Sequence, residues 1–190
     1  MNKVQSSVPK EISFGSTILY PTETVYGLGC RYDDGEALQA IYSLKGRDKK
    51  VPVALIASEE HWVERHFQVP ACASPLMKAH WPGPLAMLLR PKAPQLFQNV
   101  VHEGFVGVRV SGSTKSRELA AACGGAIVST SANLSGEPTP LHWQQCTQSI
   151  LDGVSLIIDG GALDAALPST LIRFNGESEV EILRQGPVRI

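Results

Sequence analysis

The chain has 190 residues, a length that suits one globular domain able to bury a sizeable core. Its net charge of -1 excludes a strongly basic protein that binds nucleic acid or anionic membranes through overall charge. We see no apolar run long enough to cross a bilayer and no leader-like start, so we expect a cytoplasmic protein without a membrane contact. Four cysteines lie far apart without metal-ligand spacing, which predicts core thiols in a reducing compartment and no metal site.

The chain begins with a polar, weakly patterned stretch. We predict a short arm over residues 1–14 and one domain over residues 15–190. An apolar run at residues 16–19 predicts the first strand, which ends at Pro21 because proline cannot donate to a ladder. The loop that follows, residues 22–29, carries hydroxyls, a carboxylate and two glycines. Such a loop is typical of a ligand site at a strand end, although a turn without a ligand is the other interpretation.

Apolar residues at helical spacing between residues 37 and 44 predict a helix, with Asp33 or Asp34 as its cap. A basic run, residues 45–50, follows. Cations there would complement the helix dipole. They would equally suit a phosphate-binding loop that offers a lysine point charge and a bidentate arginine.

Strands and helices alternate along the rest of the chain. Strands are predicted at residues 52–57, 85–89, 106–110 and 155–159, and a further apolar strand begins the stretch 126–133. Helices are predicted at 58–67, 74–81, 113–123 and 139–151. Two further strands joined by a turn are predicted between residues 169 and 184. This order predicts an α/β fold whose sheet gains antiparallel character from the final hairpin.

Two of these strands carry polar groups of interest. Arg109 lies between two valines, so it either occupies a solvated strand face or reaches a carboxylate or phosphate in a cleft. Ser129, Thr130, Ser131 and Asn133 follow an apolar strand and could bind a polar ligand or satisfy their own backbone. The sequence lacks a P-loop, a complete dinucleotide fingerprint and a nucleophile elbow. The cations and neutral polar loops that the sequence does contain favour catalysis by positioning of substrates and stabilisation of charge.

Three stretches together resemble the signatures of the YrdC-like family. Tyr20 to Gly29 is similar to Y-P-T-[ED]-T-x-Y-G-L-G, Lys45-Gly46-Arg47 to K-x-R, and Ser129 to Gly136 to S-x-S-A-N-x-S-G. Shorter matches support them: Trp81-Pro82-Gly83-Pro84, Val108-Arg109-Val110, Pro168-Ser169-Thr170 and Leu183-Arg184-Gln185-Gly186. The resemblance spans residues 16–186 and is to the short, single-domain form. It implies a single-domain α/β fold, a twisted mixed sheet with flanking helices and a concave, positively charged cleft.

The resemblance also implies an activity. Such enzymes are L-threonylcarbamoyladenylate synthases, nucleotidyltransferases that form threonylcarbamoyl-AMP and pyrophosphate from L-threonine, bicarbonate and ATP. The product serves partner proteins of the complex that makes threonylcarbamoyladenosine in tRNA. Mg²⁺ is expected with ATP, and a weak tRNA contact is a further expectation.

Site residues follow from the matched motifs. The resemblance assigns the threonine substrate to four residues: Thr24, Arg109, Ser131 and Ser169. It assigns ATP to four others, of which the first two are also the catalytic cations: Lys45, Arg47, Asn133 and Arg184. The chain departs from the family pattern at three positions, where it has Asp48, Val51 and Ile56.

Two other functions remain open at this point. An RNA-binding module could use the same basic cleft without turnover, although the near-neutral net charge disfavours strong non-specific RNA binding. A paralogue with another substrate could also share the fold, although the retained K-x-R and S-A-N motifs disfavour it.

Overall fold

The computed structural model describes residues 3–164, 167–176 and 179–190. Within these ranges one sheet has eleven strands. They are β1 (Val4–Gln5), β2 (Ile18–Pro21), β3 (Tyr26–Gly29), β4 (Ala54–Ala57), β5 (Phe67–Gln68), β6 (Leu85–Pro91), β7 (Val106–Val110), β8 (Ala126–Ser131), β9 (Leu156–Ile158), β10 (Thr170–Asn175) and β11 (Glu179–Arg184). The α-helices are α1 (Gly35–Lys45), α2 (Glu60–His66), α3 (Ala73–His80), α4 (Thr114–Ala122) and α5 (Gln148–Gly153).

The sheet is mixed, as the sequence predicts. Its strand order is β1-β9-β2-β3-β8-β4-β7-β6-β10-β11, with β5 paired to β6. At its centre β8 runs antiparallel to both β3 and β4, whereas β4 and β7 are parallel. This order places the ends of β2, β3, β8 and β7, which carry the polar motifs, in one region of the sheet.

Both faces of the sheet are covered by apolar side chains. Neighbouring residues of one strand point to opposite faces, so Leu55 belongs to the larger core cluster and Ile56 to a smaller one. The smaller cluster includes Tyr20 and Leu119 and lies beneath α4, which contacts β2, β4 and β8. Arg109 is the register partner of Ile56, so the two side chains share a face.

The predicted arm lies against the sheet in the part that the structure describes. β1 pairs in parallel with β9. The Ile12 side chain is buried in the smaller cluster, and its backbone N–H donates to the Ala122 carbonyl at 3.1 Å. The boundary after residue 14 stays a prediction.

Two helices have the N-terminal caps that the sequence predicts, and one predicted helix is wrong. Asp34 caps α1 by accepting from the Ala37 N–H at 3.0 Å, and Ser113 caps α4. The helix predicted over residues 139–151 is instead a 3-10 turn, Trp143–Gln145, followed by α5. The Pro140 carbonyl accepts the Tyr26 N–H at 3.0 Å, and the Gln144 N–H, its partner in a regular helix, donates instead to His142 Nδ1 at 3.2 Å.

The cysteines behave largely as predicted. Cys30, Cys123 and Cys146 are buried, Cys72 is half-buried, and all four are free thiols. Over the ranges given above, none of the helices combines the length and the apolar character needed to cross a membrane.

Candidate active site

A cavity of about 370 Å³ brings the three signature stretches together. Six of the eight residues assigned by motif line it: Thr24, Arg47, Arg109, Ser131, Ser169 and Arg184. The other two, Lys45 and Asn133, lie outside the lining. The ligand assignments themselves stay predictions, whereas the convergence of these side chains is a property of the fold.

The threonine-rich loop is held by its own hydroxyl groups. Thr22 Oγ1 accepts from the backbone N–H groups of Thr24 and Val25 at 3.0 and 3.2 Å, and it donates to the Val25 carbonyl at 2.7 Å. It also lies 2.9 Å from Thr24 Oγ1. Such a turn fixes the loop conformation, so Thr24 is presented to the cavity in one orientation.

Two glycines let β3 lie close to its neighbours. A Cβ on Gly29 would lie 2.1 Å from the Val128 carbonyl oxygen, which no side chain tolerates. A Cβ on Gly27, which lines the cavity, would lie 3.3 Å from the Tyr20 ring. The hydroxyl of buried Tyr20 donates to the Val128 carbonyl at 3.1 Å and ties β2 to β8.

Arg109 is buried, so the prediction of a solvated strand face is wrong and the prediction of a carboxylate partner is confirmed. Its Nη1 donates to Glu23 Oε1, and Ser111 Oγ donates to Glu23 Oε2. Arg109 is only 6% exposed, so the ion pair is largely shielded from water. In the sequence, Glu23 is marked only as the acidic position of the first signature, and nothing in the sequence indicates that it pairs with Arg109.

Lys45 is 2% exposed and bonds to protein backbone. Its Nζ donates to the carbonyls of Ser131 and, at 2.6 Å, Asn133. The Ser135 N–H in turn donates to the Lys45 carbonyl at 3.1 Å. Burial, with Arg47 adding repulsion, lowers the pKa of Lys45 to about 8. The first cation of the basic run therefore braces the turn that follows β8.

Arg47 contacts the end of β8 itself. Its Nη1 donates to Thr130 Oγ1 at 2.9 Å and its Nη2 to the Pro52 carbonyl at 2.8 Å. Its buried Nε has no hydrogen-bond partner within the described residues. Burial lowers the pKa of Arg47, with a smaller opposing effect from Tyr42. The K-x-R and S-x-S-A-N motifs thus form one hydrogen-bonded unit.

Asn133 carries an unusual polar atom. Its Nδ2 donates to the Glu137 carbonyl at 2.6 Å. Its buried Oδ1 has no hydrogen-bond partner in the part of the chain that the structure describes. A buried acceptor without a partner costs free energy.

Arg184 and Ser169 close the cavity from the C-terminal hairpin. Arg184 Nε donates to the Ser169 carbonyl at 3.0 Å. Desolvation by the surrounding protein lowers the pKa of Arg184, and the positive charge of nearby Arg109 lowers it further. A Cβ on Gly186 would lie 2.3 Å from the Pro168 carbonyl oxygen, so the chain after β11 can pass this close only with glycine.

The three departures from the family pattern lie away from the cavity lining. Ile56 is fully buried in the smaller apolar cluster, and Val51 is 43% exposed. Asp48 Oδ1 accepts from the Lys50 N–H at 2.9 Å and shapes the basic loop. These side chains therefore shape the core and the loop.

The sequence missed an apolar wall of the cavity. It is formed by residues from β6, β10, β11 and the segment before β7: Ala86, Leu88, Val100, Phe105, Leu171 and Leu183. His102 and Glu103 also line the cavity. Within residues 3–164, 167–176 and 179–190, no three His, Cys, Asp or Glu side chains gather into a metal-binding group.

Comparison with known proteins decides the family. The Sua5/YciO/YrdC family model, described as telomere recombination, matches residues 10–186. The chain belongs to this family. A Mycobacterium tuberculosis relative named "Putative threonylcarbamoyl-AMP synthase" is 33% identical over 179 residues, which are 93% of this chain and 81% of that protein.

Solved structures of the Sua5/YciO/YrdC family confirm the fold. Sua5 of Pyrococcus abyssi, crystallised with L-threonine, matches with a TM-score of 0.81 and 30% identity over 90% of this chain. The match covers 51% of Sua5, so this chain spans about half of that protein. YciO of Escherichia coli matches with a TM-score of 0.78 and 26% identity, over 91% of this chain and 84% of YciO.

Proposed function

We propose that this member of the Sua5/YciO/YrdC family is a threonylcarbamoyl-AMP synthase. It combines L-threonine, bicarbonate and ATP, and it acts as a nucleotidyltransferase because AMP is transferred to a carbamate. One observation supports the proposal: hydroxyls from two signature loops and four arginines converge on one cavity. The names of relatives that match most of the chain support the same activity.

We place L-threonine at the end of the cavity formed by β7 and the threonine-rich loop. Arg109 binds the substrate carboxylate, because its Nη1 is held by Glu23 while a guanidinium offers five N–H donors. Thr24, Ser131 and Ser169 supply neutral hydroxyls around it. Sua5 crystallised with L-threonine supports a threonine site within this fold.

We place the phosphates of ATP near Arg47 and Arg184. Neither guanidinium has a carboxylate partner within the described residues. Asn133 is assigned to the nucleotide by its motif, and Lys45 supports the site by holding the turn that carries Asn133. Mg²⁺ would be held mainly by the phosphates of ATP, since this ion binds substrate phosphates and keeps several waters. Glu103 and the lining hydroxyls are oxygen donors compatible with such a hydrated ion.

The chemistry proceeds without a protein nucleophile. The neutral amine of threonine attacks the bicarbonate carbon, water leaves, and an N-carboxylate forms. A carbamate oxygen then attacks the α-phosphorus of ATP, and the bond to the β-phosphate oxygen breaks as pyrophosphate leaves. Arg47 and Arg184 stabilise the negative charge that develops on the pyrophosphate. Positioning in one cavity lowers the entropic cost of bringing three substrates together.

The product is a reactive mixed anhydride, so a protein that consumes it must take it soon after release. We propose that its acceptors are the proteins that transfer the threonylcarbamoyl group to tRNA. A weak direct contact with tRNA belongs to the same proposal.

Pyrophosphate release from ATP tests the proposal, with threonine and bicarbonate each omitted in turn. Release should require both, and Arg47→Ala should reduce it strongly while the fold is kept. Lys50→Ala is the matched control, because Lys50 is an exposed cation of the same run outside the cavity. No release under any combination, with RNA retained, would favour the binding module. Release that another amino acid supports better than threonine would favour a paralogue.

A further inference from the structure

Phe105 stands out in the apolar wall of the cavity. Among the described residues that line the cavity, it carries the one six-membered aromatic ring. It is held in place from two directions. Its backbone N–H and carbonyl exchange hydrogen bonds with His102 at 2.9 and 2.8 Å, and the Arg90 guanidinium lies over its ring at 4.2 Å.

The turn before Phe105 fixes where the ring is presented. Glu103 and Gly104 both have positive φ angles, 49° and 81°, and the flanking pair His102 and Phe105 is bridged. Two positive φ angles between bridged residues are typical of a type I′ hairpin turn. The ring therefore emerges from a tight turn directly before β7, and its position does not depend on a flexible loop.

β7 then separates the ring from the proposed threonine site by a fixed distance. Phe105, Gly107 and Arg109 alternate along the strand and all line the cavity. Four residues of extended chain span about 13 Å. Gly107 has no side chain between the two ends, so the cavity stays open along this path. A nucleoside, its α-phosphate and a threonyl group occupy a comparable length.

We propose that Phe105 is the residue on which the purine base of ATP stacks, with Arg90 as a positioning residue on the outer face of its ring. The inference rests on the proposed function for the identity of the nucleotide. The phosphates bind the cations of the polar wall, and the base lies against the apolar wall. A cation over one face of an aromatic ring holds that ring electrostatically, which leaves the other face to the base.

The test separates the base from the phosphates. Binding of ATP and of inorganic tripolyphosphate, which has no base, is measured by calorimetry on the full chain and on Phe105→Leu. Loss of one base–ring stack should weaken ATP binding about tenfold or more, while tripolyphosphate binding stays unchanged. Phe14→Leu is the matched control, because Arg31 lies over Phe14 at 4.4 Å in a second Arg–Phe pair outside the cavity.

Each result decides the inference. Equal weakening of both ligands by Phe105→Leu, unchanged ATP binding, or no ATP binding by the unaltered chain would overturn it. Arg90→Met should weaken ATP binding less than Phe105→Leu and leave tripolyphosphate binding unchanged. A chain that binds ATP through Phe105 yet releases no pyrophosphate would overturn the proposed function and leave this inference standing.

Discussion

Removing Glu23 should destabilise the protein far more than removing a comparable surface carboxylate. In Glu23→Ala the Arg109 guanidinium, 6% exposed, would stay buried without its carboxylate. Breaking a buried ion pair from one side costs about 3–5 kcal/mol. Ser111, which is fully buried, would also lose the acceptor of its hydroxyl. The two losses involve one carboxylate, so they are not added.

The matched control is the ion pair between the two strands of the C-terminal hairpin. Arg173 and Glu181 are also an arginine and a glutamate on strands, at 2.6 Å, but their side chains are 39% and 40% exposed. An exposed pair contributes little to stability because water screens its charges. Glu181→Ala should therefore change stability little, and the difference between the two variants measures the effect of burial.

Urea unfolding at neutral pH followed by circular dichroism measures both variants. The midpoint should fall strongly for Glu23→Ala at an unchanged m-value, and only slightly for Glu181→Ala. A second variant, Glu23→Leu with Arg109→Met, should recover much of the loss because it removes the unpaired charge. If Glu23→Ala loses no more than about 1 kcal/mol, the argument that Arg109 depends on this one carboxylate is wrong.

Two further predictions concern Lys45 and Gly29. Burial lowers the pKa of Lys45 from 10.5 to about 8, so between those values the unfolded chain binds more protons than the folded one. The unfolding free energy should therefore rise with pH across that window, by at most about 3 kcal/mol. Urea titrations at about pH 7.5, 9 and 10.5, which bracket the window, measure this rise. Lys45→Met should remove it. Parallel pH profiles for the two proteins would contradict this. Gly29→Ala should lower the unfolding free energy by about 2–3 kcal/mol or prevent folding, because the added Cβ would lie 2.1 Å from the Val128 carbonyl oxygen. Gly107→Ala is the control. The nearest contact of its added Cβ is 3.5 Å, so this variant should unfold at nearly the original temperature.

The sequence predicts what depends on local pattern. The strand ends, the caps at Asp34 and Ser113, and the family follow from residues close together in the chain. The helix predicted from Thr139 fails because the Pro140 carbonyl bonds to Tyr26, which is remote in sequence. Local periodicity carries no information about such a partner.

The contacts of the site that the sequence did not predict also join residues that are remote in the chain. Glu23 and Arg109 are 86 residues apart, as are Lys45 and Ser131. Their pairing depends on the strand order, which brings β3, β8, β4 and β7 side by side. Phe105 follows a segment with no periodic pattern, so its place in the cavity is visible only in three dimensions. The positively charged cleft, the ligand roles and Mg²⁺ stay predictions.

The ion pairs explain how a nearly neutral chain can present a site suited to a polyanion. Arg109 and Arg173 each have a glutamate partner, whereas Arg47 and Arg184 bond to neutral oxygens of Thr130, Pro52 and Ser169. Neutral partners orient a guanidinium without cancelling its charge. Protein contacts already hold these two side chains, so a bound triphosphate need not order them, which reduces the entropic cost of binding. Under the proposed function, the glutamate beside Arg109 lowers the net charge at the place where a single substrate carboxylate would bind.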